Sequence, residues 1–170
     1  MFREMRRVNQ QLTQEESLAV LQRGTSGVLA VSGDDGYPYA VPLSYAYRDG
    51  CLWFHGALTG HKLDAIQRCS KVSFCVVDKD DVIPEKLTTV YRSVIAFGQA
   101  HILEDERKIA QGARILGEKY LGGLDRGLVE QEIMHSMPRL TVIRMDIEHL
   151  TGKEGVELTA QKKPELFDGD

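Results

Sequence analysis

The sequence predicts a mainly β protein: an antiparallel sheet closed into a barrel, with short helices at its periphery. Three observations carry this. About six segments rich in β-formers follow one another along the chain. The early ones are joined by the hairpin turns Gly33-Asp34-Asp35-Gly36 and Arg48-Asp49-Gly50. The helical segments between the others are short. Closing such a sheet removes edges that would otherwise pair with other molecules. With 170 residues, 42% of them apolar and 27% charged, the chain has the size and composition of one soluble domain with a real core.

The elements follow in order. Thr13 and Glu16 form a capping box that opens a helix with Leu18, Ala19 and Leu21 on its apolar face, and Gly24 ends it. Residues 27–31 are the first strand and residues 37–47 the returning one. Pro38 and Pro42 in the second cannot donate to a ladder, so they mark an edge, a bulge or a place where backbone faces a ligand. Residues 51–56 are the third strand, and residues 60–68 a helix whose Leu63 and Ile66 pack on the sheet. Residues 71–77 are the fourth strand, 78–86 a polar loop containing Pro84, and 88–103 a long β-forming run. Residues 104–120 are helical, with Ile109, Ala113, Leu116 and Tyr120 on one face; Leu121-Gly122-Gly123 breaks the helix. A further helix over 129–137 is stopped by Pro138. The last strand, 139–147, alternates Leu140, Val142 and Arg144 with Thr141, Ile143 and Met145. The expected organisation is one domain over residues 1–150 and a polar tail over 151–170.

Composition excludes several classes. A net charge of −4 argues against a general nucleic-acid surface, which needs many Lys and Arg to neutralise phosphates. No apolar run approaches the roughly 20 residues of a membrane span. The basic start, Met1 to Arg7, has no apolar segment after it and does not read as a secretory signal; Phe2 and Met5 place it as a short amphipathic helix on the barrel. Three cysteines without a Cys-x-x-Cys pair form neither a disulfide framework nor a zinc knuckle, and Cys51 and Cys75 read as small core residues. His101, His135 and His149 have no ligand spacing, so no metal is expected, and the cytoplasm is the expected compartment.

The stretch Phe54-His55-Gly56-Ala57-Leu58-Thr59-Gly60-His61-Lys62-Leu63-Asp64-Ala65-Ile66 is the most informative in the chain. It reads as strand, tight turn and helix start. Free amides at a helix N-terminus, the positive end of its dipole and a nearby ammonium make an anion site, for which a phosphate monoester is the natural occupant. It is neither the dinucleotide fingerprint nor a triphosphate loop. On their own, Lys62 reads as a solvated charge, His61 as a residue that caps or solvates the helix start, and His55 as a satisfied structural histidine. Arg92, inside a β run, is either a rim charge or an anion contact.

Several blocks in the same order resemble the nitroimidazole-resistance proteins of the pyridoxamine phosphate oxidase-related, FMN-binding split-barrel group. They are Met1-Phe2-Arg3-Glu4-Met5-Arg6-Arg7, the run from Gly36 through Tyr45 with Tyr39, Val41, Pro42, Leu43 and Ser44, Phe54-His55 with Gly60 to Ile66, Val72 to Asp78, and Tyr91-Arg92-Ser93-Val94. The resemblance covers most of residues 1–105. It implies a homodimer of six-stranded split barrels with FMN at the interface. The FMN phosphate would sit at Thr59, His61 and Lys62, and the isoalloxazine along Tyr39–Ser44 and Phe54, His55, Gly56 and Ala57. Arg92 and Ser93 would reach it from the other subunit. The relatives also place the equivalent of His61 beside the flavin, where an imidazole, which exchanges protons near neutral pH, could protonate a reduced nitro group.

Three functions follow as alternatives. The first is an FMN-dependent reductase of small electrophiles such as nitroaromatics or quinones, fed by a nicotinamide cofactor bound transiently or by another reductant. The second is a non-catalytic module that stores or shuttles FMN. The third is a split barrel holding haem or a deazaflavin, with His55 or His61 as the haem ligand. True pyridoxamine phosphate oxidase activity is not expected, because the arginine-rich C-terminal substrate segment of that enzyme is missing from the sequence.

Overall fold

The computed structural model describes residues 1–121, 123 and 125–166. Among these, seven strands form one antiparallel sheet: β1 (Ser26–Ser32), β2 (Pro38–Ser44), β3 (Ala46–Arg48), β4 (Cys51–Gly56), β5 (Lys71–Ile83), β6 (Thr88–Ile102) and β7 (Thr141–Glu154). Their spatial order is β2-β1-β5-β6-β7-β4-β3. The helices are α1 (Gln14–Arg23), α2 (His61–Arg68), α3 (Glu106–Tyr120), α4 (Arg126–Ser136) and α5 (Val156–Lys162).

The strand count is seven, not the expected six, because residues 37–47 do not form one strand. The run breaks at Tyr45: β2 pairs with β1 at one edge of the sheet, and β3 pairs with β4 at the other. The two edge strands are therefore consecutive in the chain, and because no ladder joins them among the described residues the sheet is open, as in a split barrel, rather than closed on itself as the sequence predicts. Tyr45 belongs to neither ladder, and the Tyr120 hydroxyl from the end of α3 serves its backbone, accepting from its N–H at 2.9 Å and donating to its carbonyl at 2.7 Å. A backbone kink buried this deeply needs such partners. Pro42 lies on the edge strand β2, opposite Val28, as an edge proline should.

Two other expectations are corrected. Residues 78–86 are not simply a loop: β5 runs to Ile83, a tight turn with Leu87 at φ 47° reverses the chain, and β6 returns from Thr88. Nor do residues from 151 onward trail away as a tail. β7 continues to Glu154 and α5 follows, with Glu154 and Thr159 buried; residues 167–170 lie outside the described set. Gly122 of the expected helix break also lies outside it.

Inside the sheet, Phe74 takes Tyr45 and Phe54 edge-on, at centroid distances of 4.9 and 5.0 Å, among Leu21, Leu29, Leu52, Ile143 and Met145. The capping box of Thr13 and Glu16 opens α1, which lies against β7 at Gly152. On the other face α3 covers Trp53 and Val142, so the residues of β7 that alternation turns away from the main core are buried as well. Cys51 is half-buried and packs against this second cluster beside Trp53, whereas Cys75 is half-buried on the outward face of β5 rather than in the core, because Phe74 beside it points inward. The Cys51 thiol donates to Asp146 at 3.2 Å, and burial together with that carboxylate pushes its pKa up to about 11. The expected N-terminal helix does not form: Phe2 instead stacks on His149, with centroids 4.5 Å apart, and tilts against Phe97. No described helix is long and apolar enough to cross a membrane.

Candidate functional site

The start of α2 is built by local sequence. β4 ends at Gly56, the chain bends through Ala57, Leu58 and Thr59, and Gly60 takes φ 139°, a conformation open to glycine and strained for other residues. The Gly60 carbonyl accepts from the amides of Leu63 at 2.8 Å and Asp64 at 3.2 Å. Among the described residues the amides of His61 and Lys62 have no acceptor, and no side chain caps the helix. Thr59 is exposed and does not cap, so its hydroxyl remains available beside these amides. Leu63, Ala65 and Ile66 bury the opposite face of α2 and fix the direction of its axis.

Lys62 folds back over the end of β4. A Cβ on Gly56 would come within 3.1 Å of both Cε and Nζ of Lys62, so the glycine makes room for the ammonium. His61 is held on two sides. Its ring stacks on Tyr39 of β2 at 4.1 Å and 13°, and its Nε2 lies 3.4 Å from the Asp34 carboxylate in the β1–β2 turn. Asp34 is itself fixed by Arg68, the last residue of α2, at 2.6 Å. Nδ1 of His61 is left as the ring nitrogen free for another group. Asp34 and Arg68 were not foreseen from the sequence. Asp34 reads there only as a turn residue, and no local pattern links it to a side chain on α2.

The fold thus gathers Tyr39, Gly56, Thr59, His61 and Lys62 at one end of the sheet. The remaining candidates divide by strand alternation. Val41 and Leu43 turn toward the core, as does Tyr39 in part, and Phe54 is fully buried there; what Val41, Leu43 and Phe54 offer a ligand is backbone. Pro42 and Ser44 on β2, and His55 on β4, face outward with Ala57 beyond them. Arg92 and Ser93 lie on β6 and are not brought to this group within the chain. Arg92 is already engaged, with Glu154 at 3.1 Å and Asp78 at 3.3 Å. Arg23 also grips Asp78, and these guanidinium bonds, that of Arg23 foremost, hold the Asp78 carboxyl below its ordinary range.

Chemically, two unpaired amides, an ammonium and an exposed hydroxyl at a helix start recognise a dianionic phosphate, and an imidazole of fixed orientation stands beside it.

Solved structures with this fold include a protein from Bacteroides thetaiotaomicron described as a 5-nitroimidazole antibiotic resistance protein. It has a TM-score of 0.71 and 16% identity over 85% of this chain and 86% of that one. A conserved hypothetical protein of Mycobacterium tuberculosis has a TM-score of 0.77 and 21% identity over 91% and 92% of the two chains. A FAD-binding protein of Mesorhizobium loti has a TM-score of 0.57 and 25% identity over 85% and 96%. No curated protein sequence matches the chain. The sequence family described as pyridoxamine 5'-phosphate oxidase matches residues 13–154, from the N-cap of α1 to the end of β7. With all seven described strands inside that match, the chain belongs to the pyridoxamine 5'-phosphate oxidase family.

Proposed function

We propose that this protein binds FMN and acts as a flavin-dependent reductase of small electrophiles, nitroaromatic compounds and quinones among them. The observation that carries the reading is the start of α2: two free amides, Lys62 folded over Gly56, and His61 stacked on Tyr39. One helix start with one ammonium suits a single terminal phosphate, as in FMN. The family, and a FAD-binding relative at 25% identity, support a flavin. When bound, the flavin supplies the electron transfer; the protein supplies position, charge and access.

In this reading Lys62 and the amides of His61 and Lys62 hold the phosphate, with Thr59 as a further donor. The backbone of Val41, Leu43, Phe54 and Gly56 lines the ring system, with Pro42, Ser44, His55 and Ala57 at its edges. His61, oriented by Asp34 and Tyr39, turns Nδ1 away from Asp34 as the ring atom at which a proton is exchanged with the ligand. The site is completed by a second copy of the chain, which brings Ser93 and the Arg92 ion cluster. The outward face of β1, β5 and β6 supports that pairing: Val28, Val77 and Ile95 are exposed there among the small side chains of Ala30 and Ser73.

The experiment is a titration of flavin-free protein with FMN and with riboflavin, which lacks the phosphate. Lys62→Ala removes a charge-assisted contact worth roughly 1.5–3 kcal/mol. FMN affinity is expected to fall about tenfold to a hundredfold, with riboflavin little affected. Equal losses for both ligands would remove the phosphate assignment. The absorbance spectrum of the purified protein separates flavin from haem.

A further inference from the structure

A cavity of about 360 Å³ lies between α3, α4 and the ends of β2 and β4. This is within the size range of small-molecule sites. Leu116, Val129, Ile133 and Leu140 give it apolar walls. The two helices touch at Gly117, where a Cβ would come within 3.2 Å of Val129, and Ala113 and Gly117 leave space on α3 that larger residues would fill. The sheet contributes Ser44 and His55, whose side chains make no hydrogen bond among the described residues. α4 contributes Glu132, which is exposed, and Ser136, whose hydroxyl donates to the Glu132 carboxylate at 3.2 Å.

We propose that this cleft binds a neutral aromatic molecule. Apolar walls favour a rigid ring, which buries the most surface for the least loss of internal freedom. The carboxylate of Glu132 in the wall repels anions and so disfavours a phosphate or carboxylate ligand. His55 and Ser44 provide hydrogen-bonding groups for a ring substituent. Because these two residues also stand at the edge of the proposed flavin site, the bound ring lies next to that site. That it is the reductase substrate rests on the proposed function; that the cleft binds it does not.

The test uses the whole chain, flavin-free, and two fluorescent probes that share one aromatic skeleton: neutral N-phenylnaphthylamine and its sulfonated counterpart, anilinonaphthalene sulfonate. The neutral probe is expected to bind saturably, and the sulfonate at least about tenfold more weakly, a difference of roughly 1.4 kcal/mol. Ser136→Phe, on the peripheral helix, fills the cleft and is expected to weaken the neutral probe about tenfold or more, with the thermal midpoint confirming folding. Glu132→Lys is expected to admit the sulfonate while leaving the neutral probe bound. Equal binding of the two probes to the unsubstituted protein, or undiminished binding of the neutral probe to folded Ser136→Phe, overturns the proposal. FMN is titrated into the same samples. A protein that fails to bind FMN but binds the neutral probe refutes the cofactor reading and leaves this site standing; binding of FMN without the neutral probe does the reverse.

Discussion

His61 is the residue on which the distinction between a reductase and a flavin carrier turns. Its ring cannot swing freely, since Tyr39 covers one face and Asp34 holds Nε2. A fixed donor is what general acid catalysis requires. His61→Ala is expected to lower the anaerobic rate at which protein-bound reduced flavin is reoxidised by a nitroimidazole by about 10²–10⁴-fold. FMN occupancy is measured in the same sample, because the substitution also alters the phosphate site. If reduced unsubstituted protein reacts no faster than free reduced FMN, the protein is a flavin carrier. At this scale the sequence was legible where the chemistry is contiguous: Gly56, Thr59, His61 and Lys62 lie within one short stretch. It was not legible for Asp34, whose role depends on the β1–β2 turn folding against a helix that begins 27 residues later. The unusual charge of Arg92 was visible, but its partner Glu154 lies in residues that read as a tail.

Among the elements, the β6–β7 ladder carries the least tolerance. Register slips between Phe97 and Gly98, where Phe97 faces His149 but Gly98 faces Ile147. A Cβ on Gly98 would fall 1.9 Å from the Asp146 carbonyl oxygen, which is backbone and cannot move aside. Gly98→Ala is therefore expected to cost about 1–3 kcal/mol or more in urea denaturation, as overpacking does. A loss below about 0.5 kcal/mol, typical of surface substitutions, would contradict this. Existence and type of most elements were readable from period and turn chemistry. The break at Tyr45 was not, because residues 37–47 keep strand-like composition throughout. What divides them is the Tyr120 hydroxyl, 75 residues away. The strand pairing of residues 79–83 was hidden by their polarity, which reflects an exposed hairpin and not a loop.

For the molecule as a whole, an ion cluster joins both ends of the chain. Arg23 and Arg92 meet at Asp78, Arg92 and Lys162 meet at Glu154, and Lys162 reaches Glu16 on α1. The Asp78 carboxyl is lowered from its ordinary 3.8, so the stability it contributes is complete above that value and is lost as pH falls through the lowered one. Asp78→Asn is expected to be less stable at neutral pH and to lose less on acidification, read as unfolding midpoints across a pH series. A parallel slope for both proteins would show that another group dominates. The exposed face of β1, β5 and β6 leads to the other expectation at this scale, a dimer by light scattering at micromolar concentration. A monomer that binds FMN normally would contradict a shared site.

The place of β7 in the sheet also dictates an order of assembly. It lies between β6 and β4, yet in sequence it follows all the other strands. Until residues 141–154 are available, the β1-β2-β5-β6 block and the β3-β4 hairpin have no ladder between them. A chain emerging from the ribosome thus holds two unjoined pieces of sheet with their apolar faces uncovered. The contacts that unite them span about 90 residues, the separation of Cys51 from Asp146 being 95. Such long-range closure is slow and exposes unpaired edges meanwhile. Ending the chain before β7 is expected to yield aggregate rather than a smaller folded domain, because the two pieces of sheet then keep unpaired edges and uncovered apolar faces.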